Sequence, residues 1–175
     1  VKLGEEYILS IDLMNTNERI RLLNLDTIKE YCNTDNLPED NIEYIQKKRK
    51  KIEGGKYISY TNNDYNFRIN CKTETPMSSL DITNLKVNFK DAYKSFRFIK
   101  RYTLINDTHY PYLKIDCSIV KSKKNFKTLK ESNIFKSSPN YEIEIELIND
   151  VIMNMKKNGK NINKNEIKNL VKLVF

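Results

Sequence analysis

At 175 residues the chain is long enough for one domain with a core of its own, and no shift in composition divides it. Its 31 Lys and Arg against 23 Asp and Glu give a formal charge of +8, a balance that suits a polyanionic partner yet by itself describes only a solvated surface. Three cysteines, Cys32, Cys71 and Cys117, are odd in number, far apart and without a Cys-x-x-Cys pair, which excludes a disulfide framework and a zinc ribbon. No apolar run approaches the ~20 residues of a membrane-spanning helix and no signal peptide opens the chain, so a soluble protein of a reducing compartment, with no membrane partner, is expected. An opening at Val1 and an ending inside an apolar helical pattern at Phe175 read as cuts within a longer protein.

In chain order, alternation together with β-branched and aromatic content predicts strands near 5–11, 18–23, 42–50, 56–61, 65–73, 95–105, 112–121 and 140–147. A short helix is expected to start at Asp26, capped by that side chain, and another to cover about 125–133 in a lysine-rich segment. Asn-rich patches such as Thr61-Asn62-Asn63-Asp64 read as loops. His109, near Asp107 and Pro111, reads as a structural or exposed turn residue. After residue 147 the period changes: Leu147, Val151 and Met155 recur every four residues, Gly159 can close the helix, and Asn163 with Glu166 resembles a capping-box restart continued by Leu170 and Val174. The expected organisation is a strand-dominated domain over 1–147 and helices over 148–175 that pack on it or link to a following domain.

Four strands carry charge on one face, because side chains at i, i+2 and i+4 of a strand point the same way. In Phe67–Glu74 the polar face is Arg68, Asn70, Lys72 and Glu74, opposite Phe67, Ile69 and Cys71. In Phe96–Thr103, Arg97 and Arg101 share a face with Ile99 between them, while Lys100 falls among Phe96, Phe98 and Tyr102. In Leu113–Ile119 the polar face is Lys114, Asp116 and Ser118, and Cys117, like Cys71, sits on the apolar side as a packing residue. Tyr141–Leu147 sets Glu142, Glu144 and Glu146 in a row, about 7 Å apart at each step. Same-side carboxylates repel one another, so a hard divalent cation such as Mg²⁺ or Mn²⁺ accounts for them better than bare surface does. Arg and Lys on the neighbouring strands would then take the phosphates that share the ion. Strands of this kind, closed with charged faces inward and apolar faces outward under helices, make a channel lined by both signs of charge. With glycines only at 4, 54, 55 and 159, no Gly-rich phosphate loop is possible and side chains must hold the phosphate.

The segments FRINCKTE (Phe67–Glu74), FRFIKRYT (Phe96–Thr103), LKIDCSIVK (Leu113–Lys121) and YEIEIEL (Tyr141–Leu147) resemble, in order and interval, the triphosphate-tunnel metalloenzymes, nearest to the RNA 5′-triphosphatases of mimivirus-like and poxvirus-like capping enzymes. The resemblance implies an α+β, β-dominated fold, an antiparallel triphosphate-tunnel β-barrel with peripheral helices. It implies metal-dependent hydrolysis of the γ-phosphate of 5′-triphosphate RNA, the first step of mRNA capping, with Mn²⁺ or Mg²⁺ as cofactor. Glu144 and Glu146 would hold the metal with Glu142 in support, Asp116 would orient the attacking water or the metal shell, and Arg68, Lys72, Arg97, Arg101 and Lys114 would contact the triphosphate. Covalently linked guanylyltransferase and methyltransferase domains, and a place in the host cytoplasm or the virion, are further implications. Lys47–Lys51 would line the tunnel or guide RNA to its mouth.

The family's first tunnel strand carries a Glu-x-Glu pair, whereas Glu5 and Glu6 are adjacent and point to opposite faces, so the barrel is expected to lack that strand or the protein to have lost metal competence. Ile99 also stands where a third basic residue belongs between Arg97 and Arg101. Two other functions stay open: a tunnel phosphohydrolase acting on polyphosphate, nucleotides or thiamine triphosphate, and a non-catalytic RNA-end-binding module of a capping protein.

Overall fold

A computed structural model describes residues 2–49, 51, 59–64, 66–105 and 110–159. His109, Lys50, residues 56–58 of the fourth expected strand and the helix expected from Asn163 onward lie outside them. The described elements are β1 (Lys2–Leu13), β2 (Glu18–Leu23), α1 (Leu25–Thr34), β3 (Ile42–Arg49), β4 (Ser59–Asn62), β5 (Phe67–Asn70), β6 (Lys72–Pro76), α2 (Ser79–Asn88), β7 (Lys94–Ile105), β8 (Leu113–Phe126), α3 (Leu129–Ser132), a 3-10 turn (Ile134–Lys136), β9 (Asn140–Leu147) and α4 (Asn149–Lys157). Strands dominate. Seven of them form one sheet in the order β6-β3-β2-β1-β7-β8-β9, and β4 pairs with β5 in a second. Two compact units emerge: a core unit of Glu6–Lys100 and Ile119–Asn140, and a β9 unit of Val1–Glu5, Arg101–Ser118 and Tyr141–Phe175.

In the core unit, strand register decides which side chains share a face. The antiparallel β1–β2 pair sets Leu9 opposite Leu22 and Ile11 opposite Ile20, so both strands turn aliphatic side chains the same way. These bury against Ile28 and Tyr31 of α1, Leu85 of α2, Phe89, Phe96, Leu129 and Ile134. The alternate residues make the other face: Asp12 faces Arg19, Ser10 faces Arg21, and on β3 and β6 Lys47 faces Glu74 and Arg49 faces Lys72. One face is thus oily under helices and the other charged, the division that a period of two imposes.

Four local expectations are corrected. Asn24, not Asp26, caps α1: its side chain accepts from the backbone N–H of Asp26 at 3.1 Å and Thr27 at 3.0 Å, from a left-handed backbone at φ 67°. Phe67–Glu74 is not one strand but breaks at Cys71, β5 pairing with β4 while β6 joins β3. The lysine-rich helix is shorter than expected, because β8 runs on to Phe126 and α3 begins only after a capping box between Thr128 and Glu131. Helix α2, capped by Ser78, was not expected at all.

Replacing Asn24 by Ala removes the cap and forces a Cβ-bearing residue without local hydrogen bonding into the left-handed region. A loss of about 1–2 kcal/mol is expected, with Asn24→Gly costing less, since Gly occupies that region freely; urea midpoints of the two variants check the order.

In the β9 unit the backbone N–H of Ile148 donates to the Tyr112 carbonyl at 2.8 Å, tying the end of β9 to the entry of β8. The alternate aliphatics Ile115, Ile143 and Ile145 are 40%, 74% and 46% exposed. Gly159 takes φ 71° where the helix α4 ends, the conformation foreseen for that glycine.

Candidate active site

Within the β9 unit, alternation sets Arg101 and Thr103 of β7, Lys114, Asp116 and Ser118 of β8, and Glu144 and Glu146 of β9 each on the polar face of its strand. Asp116 is the centre and is fully buried. Its Oδ1 accepts from the Thr103 hydroxyl at 2.6 Å, and its Oδ2 lies 3.0 Å from Lys114 Nζ and 3.6 Å from Arg101 Nη1. Lys114 Nζ also reaches Glu146 Oε2 at 2.8 Å, and Arg101 Nη2 reaches Glu144 Oε2 at 3.5 Å. Burial by itself would push the Lys114 ammonium down, but hydrogen bonds and charges from Glu146 and Asp116 outweigh it and hold its pKa above the ordinary lysine value.

One ligand oxygen from each of Asp116, Glu144 and Glu146 lies within 4.8 Å of the others. The donor set is all carboxylate oxygen, the chemistry of Mg²⁺ and Mn²⁺ rather than of zinc. Among the described residues, these three carboxylates face the two cations Arg101 and Lys114. On the same strand Ser118, only 5% exposed, keeps a buried hydroxyl without a hydrogen-bond partner among the described residues. These residues therefore fit a divalent ion. Glu142 stands two residues before Glu144 on the same side of β9.

The other candidates belong to the core unit. Arg68 and Lys72 border a cavity of about 210 Å³ with Arg49, Ser59, Thr61, Asn70 and Cys71. Desolvation, then the charges of Arg68, Lys47, Arg49 and Arg19, pull the Lys72 pKa below the ordinary value, the mark of a basic cluster suited to an anion. A larger hollow of about 680 Å³ beside α1 is lined by Asp26, Glu30, Glu39 and Asp40 with no basic residue, which does not suit phosphate. Arg97 lies on the core-unit half of β7, and Ile99 next to it on that face is buried with Ile8 and Val120 against Leu23. The basic residue expected at position 99 is thus replaced by part of an apolar cluster.

Sequence reading did not single out Thr103 or the ion-pair network of the core unit. Asp12 takes the fork of Arg19 at 2.6 and 3.0 Å and Lys47 at 2.9 Å, while Glu74 takes Arg21 at 2.6 Å. The signal for Asp12 was its place on one face of β1 with Ser10; its partners are fixed only by strand order. Lys47, one of the basic run, is thereby bound within the network.

Burial would raise the Asp12 pKa, but Arg19 and Lys47 together lower it below 3.8. A carboxyl depressed in the folded state stabilises above its unfolded pKa and loses that contribution as pH falls through the folded value. Asp12→Asn is expected to cost about 1–3 kcal/mol at pH 6, and the gap from the parent to narrow below about pH 4; urea unfolding at both pH values measures it.

No helix of the described residues is long and apolar enough to cross a membrane. No family model and no curated protein matches the chain. Among solved structures it is similar to a Mimivirus capping enzyme triphosphatase, at TM-score 0.63 and 20% identity, over 99% of this chain and 75% of that one. The β-dominated fold expected from the sequence is therefore the fold the two share.

Proposed function

From a fold shared with a capping-enzyme triphosphatase, we propose that this chain is a metal-dependent RNA 5′-triphosphatase that removes the γ-phosphate of 5′-triphosphate RNA ahead of capping. The observation that carries this reading is the convergence of Asp116, Glu144 and Glu146 with Arg101 and Lys114. Asp116, Glu144 and Glu146 hold Mn²⁺ or Mg²⁺, with Glu142 adding negative charge to the same strand. The ion, when bound, polarises the γ-phosphate and offsets charge that develops in the reaction. Asp116, fixed by Thr103, orients the attacking water, and the Arg101 guanidinium faces the transferred oxygens. Lys114 supplies a further phosphate contact, and in the core unit Arg97 and the cavity residues Arg68 and Lys72 are the basic side chains suited to the polyanion. Water attacks in line, and the products are inorganic phosphate and RNA with a 5′-diphosphate, the substrate form for a guanylyltransferase. Guanylyltransferase and methyltransferase domains linked to this chain, at a cytoplasmic replication site or in a virion, follow from that reading.

Substrate competition tests the RNA specificity. Phosphate release from 5′-triphosphate RNA should resist a large excess of inorganic tripolyphosphate or free nucleoside triphosphate. Preferential turnover of either competitor would assign the chain to tunnel phosphohydrolases of small substrates, and RNA binding without turnover would leave an RNA-end-binding module.

A further inference from the structure

The Lys114 ammonium bonds to two of the three carboxylates that form the candidate metal group, Asp116 Oδ2 at 3.0 Å and Glu146 Oε2 at 2.8 Å. A lysine ammonium is a compact point charge on a flexible stem, so a single Nζ between two carboxylates takes up the same oxygens that a small cation would. Arg101 is different: its fork spans Asp116 and Glu144 at 3.6 and 3.5 Å, longer contacts shared between two nitrogens. A divalent ion cannot share those oxygens with the ammonium without repulsion between the two cations, which is least screened at the fully buried Asp116. Counting these five side chains alone, the trio with both cations carries one negative charge, and a divalent ion in place of the ammonium brings that count to zero, so exchange does not overcharge the group.

Resting on the reading of this site as a metal-dependent phosphate site, we infer that Lys114 is an exchangeable internal cation: it holds Asp116 and Glu146 in the metal-free protein and, once it yields them, turns its ammonium to a phosphate oxygen. Metal and polyanion binding then reinforce one another through one side chain. By linkage, whatever metal does for anion affinity the anion does for metal affinity. Without metal, Lys114 is held by the carboxylates and the anion site lacks one of its charges. Lys114 is a positioning residue in this role, setting the order in which the site fills.

Two measurements without turnover test this. The first is Mn²⁺ affinity, read from the free-ion paramagnetic resonance signal, for the parent and Lys114→Met, which keeps the stem and removes the charge. The variant is expected to bind Mn²⁺ about tenfold or more tightly than the parent, and Mn²⁺ to strengthen sulfate binding less in the variant than in the parent. The second uses the parent alone, so it does not depend on the variant folding. Acylation of Lys114 at fixed pH, followed by mass spectrometry, should rise several-fold on adding Mg²⁺ while lysines outside the site do not change. Tighter Mn²⁺ binding with unchanged acylation would overturn release in favour of plain charge repulsion. Equal Mn²⁺ affinity in both proteins would overturn the exchange and leave the metal site standing. No Mn²⁺ binding by either, even with sulfate, would overturn both.

Discussion

Glu144→Gln and Glu146→Gln are each expected to lower metal-dependent phosphate release by about 10³-fold while leaving the fold in place. A metal ion contributes several kcal/mol of charge stabilisation in the transition state, and each ~1.4 kcal/mol is a factor of ten in rate. Gln keeps the shape of the side chain but offers a weaker, neutral oxygen. The separation of rate from stability follows from exposure: the side chains of Glu144 and Glu146 are 43% and 47% exposed, so their ion pairs with Arg101 and Lys114 are screened. Such pairs are worth at most about 1 kcal/mol. Single-turnover assays beside urea melts of the same variants check both halves. A drop in stability that matches the drop in rate would make these residues structural rather than metal-holding.

Asp116→Ala should behave in the opposite way and damage the fold as well. Asp116 is fully buried and meets Thr103, Lys114 and Arg101 together. Removing it leaves an ammonium, a guanidinium and a hydroxyl facing a cavity, and breaking a buried ion pair from one side costs about 3–5 kcal/mol. Asp116→Asn retains the acceptor for the Thr103 hydroxyl and loses the charge, so it is expected to destabilise less while still abolishing release. Thermal melts order the three proteins as parent, Asn, Ala. An Ala variant as stable as the parent would mean that Asp116 carries none of the charge balance assigned to it.

The strands were the most legible part of the chain. β2 and β9 fall where alternation put them, because both alternate apolar and polar residues and nothing in those segments competes with that pattern, although the aliphatics of β9 stay exposed. The same period failed at Cys71, since alternation continues unbroken through FRINCKTE while the strand changes partners there, and periodicity carries no information about partners. Helix α2 was missed for the opposite reason. Its apolar residues ring the helix, with Leu80 70% and Val87 76% exposed against a buried Leu85, so no stripe marks it. The one signal, Ser78 three residues before Asp81, is a cap without an amphipathic run behind it.

For the site, spacing gathers the charged residues of β8 and β9 to shared faces, and the structure unites Asp116, Glu144 and Glu146. Which carboxylate is buried was not legible: Asp116 and the two glutamates look alike in sequence, and burial comes from neighbours that only the strand order supplies. The link between Arg21 and Glu74, 53 residues apart, has no local signal either.

The measurement closest to the central claim is release of labelled γ-phosphate from 5′-triphosphate RNA by the parent chain, with Mn²⁺ or Mg²⁺ and then with chelator in excess. The account predicts release that requires the metal, stops with chelator and returns on re-addition. Release unaffected by chelator would contradict a metal site at Asp116, Glu144 and Glu146, and no release with either metal present would contradict the catalytic reading of this chain.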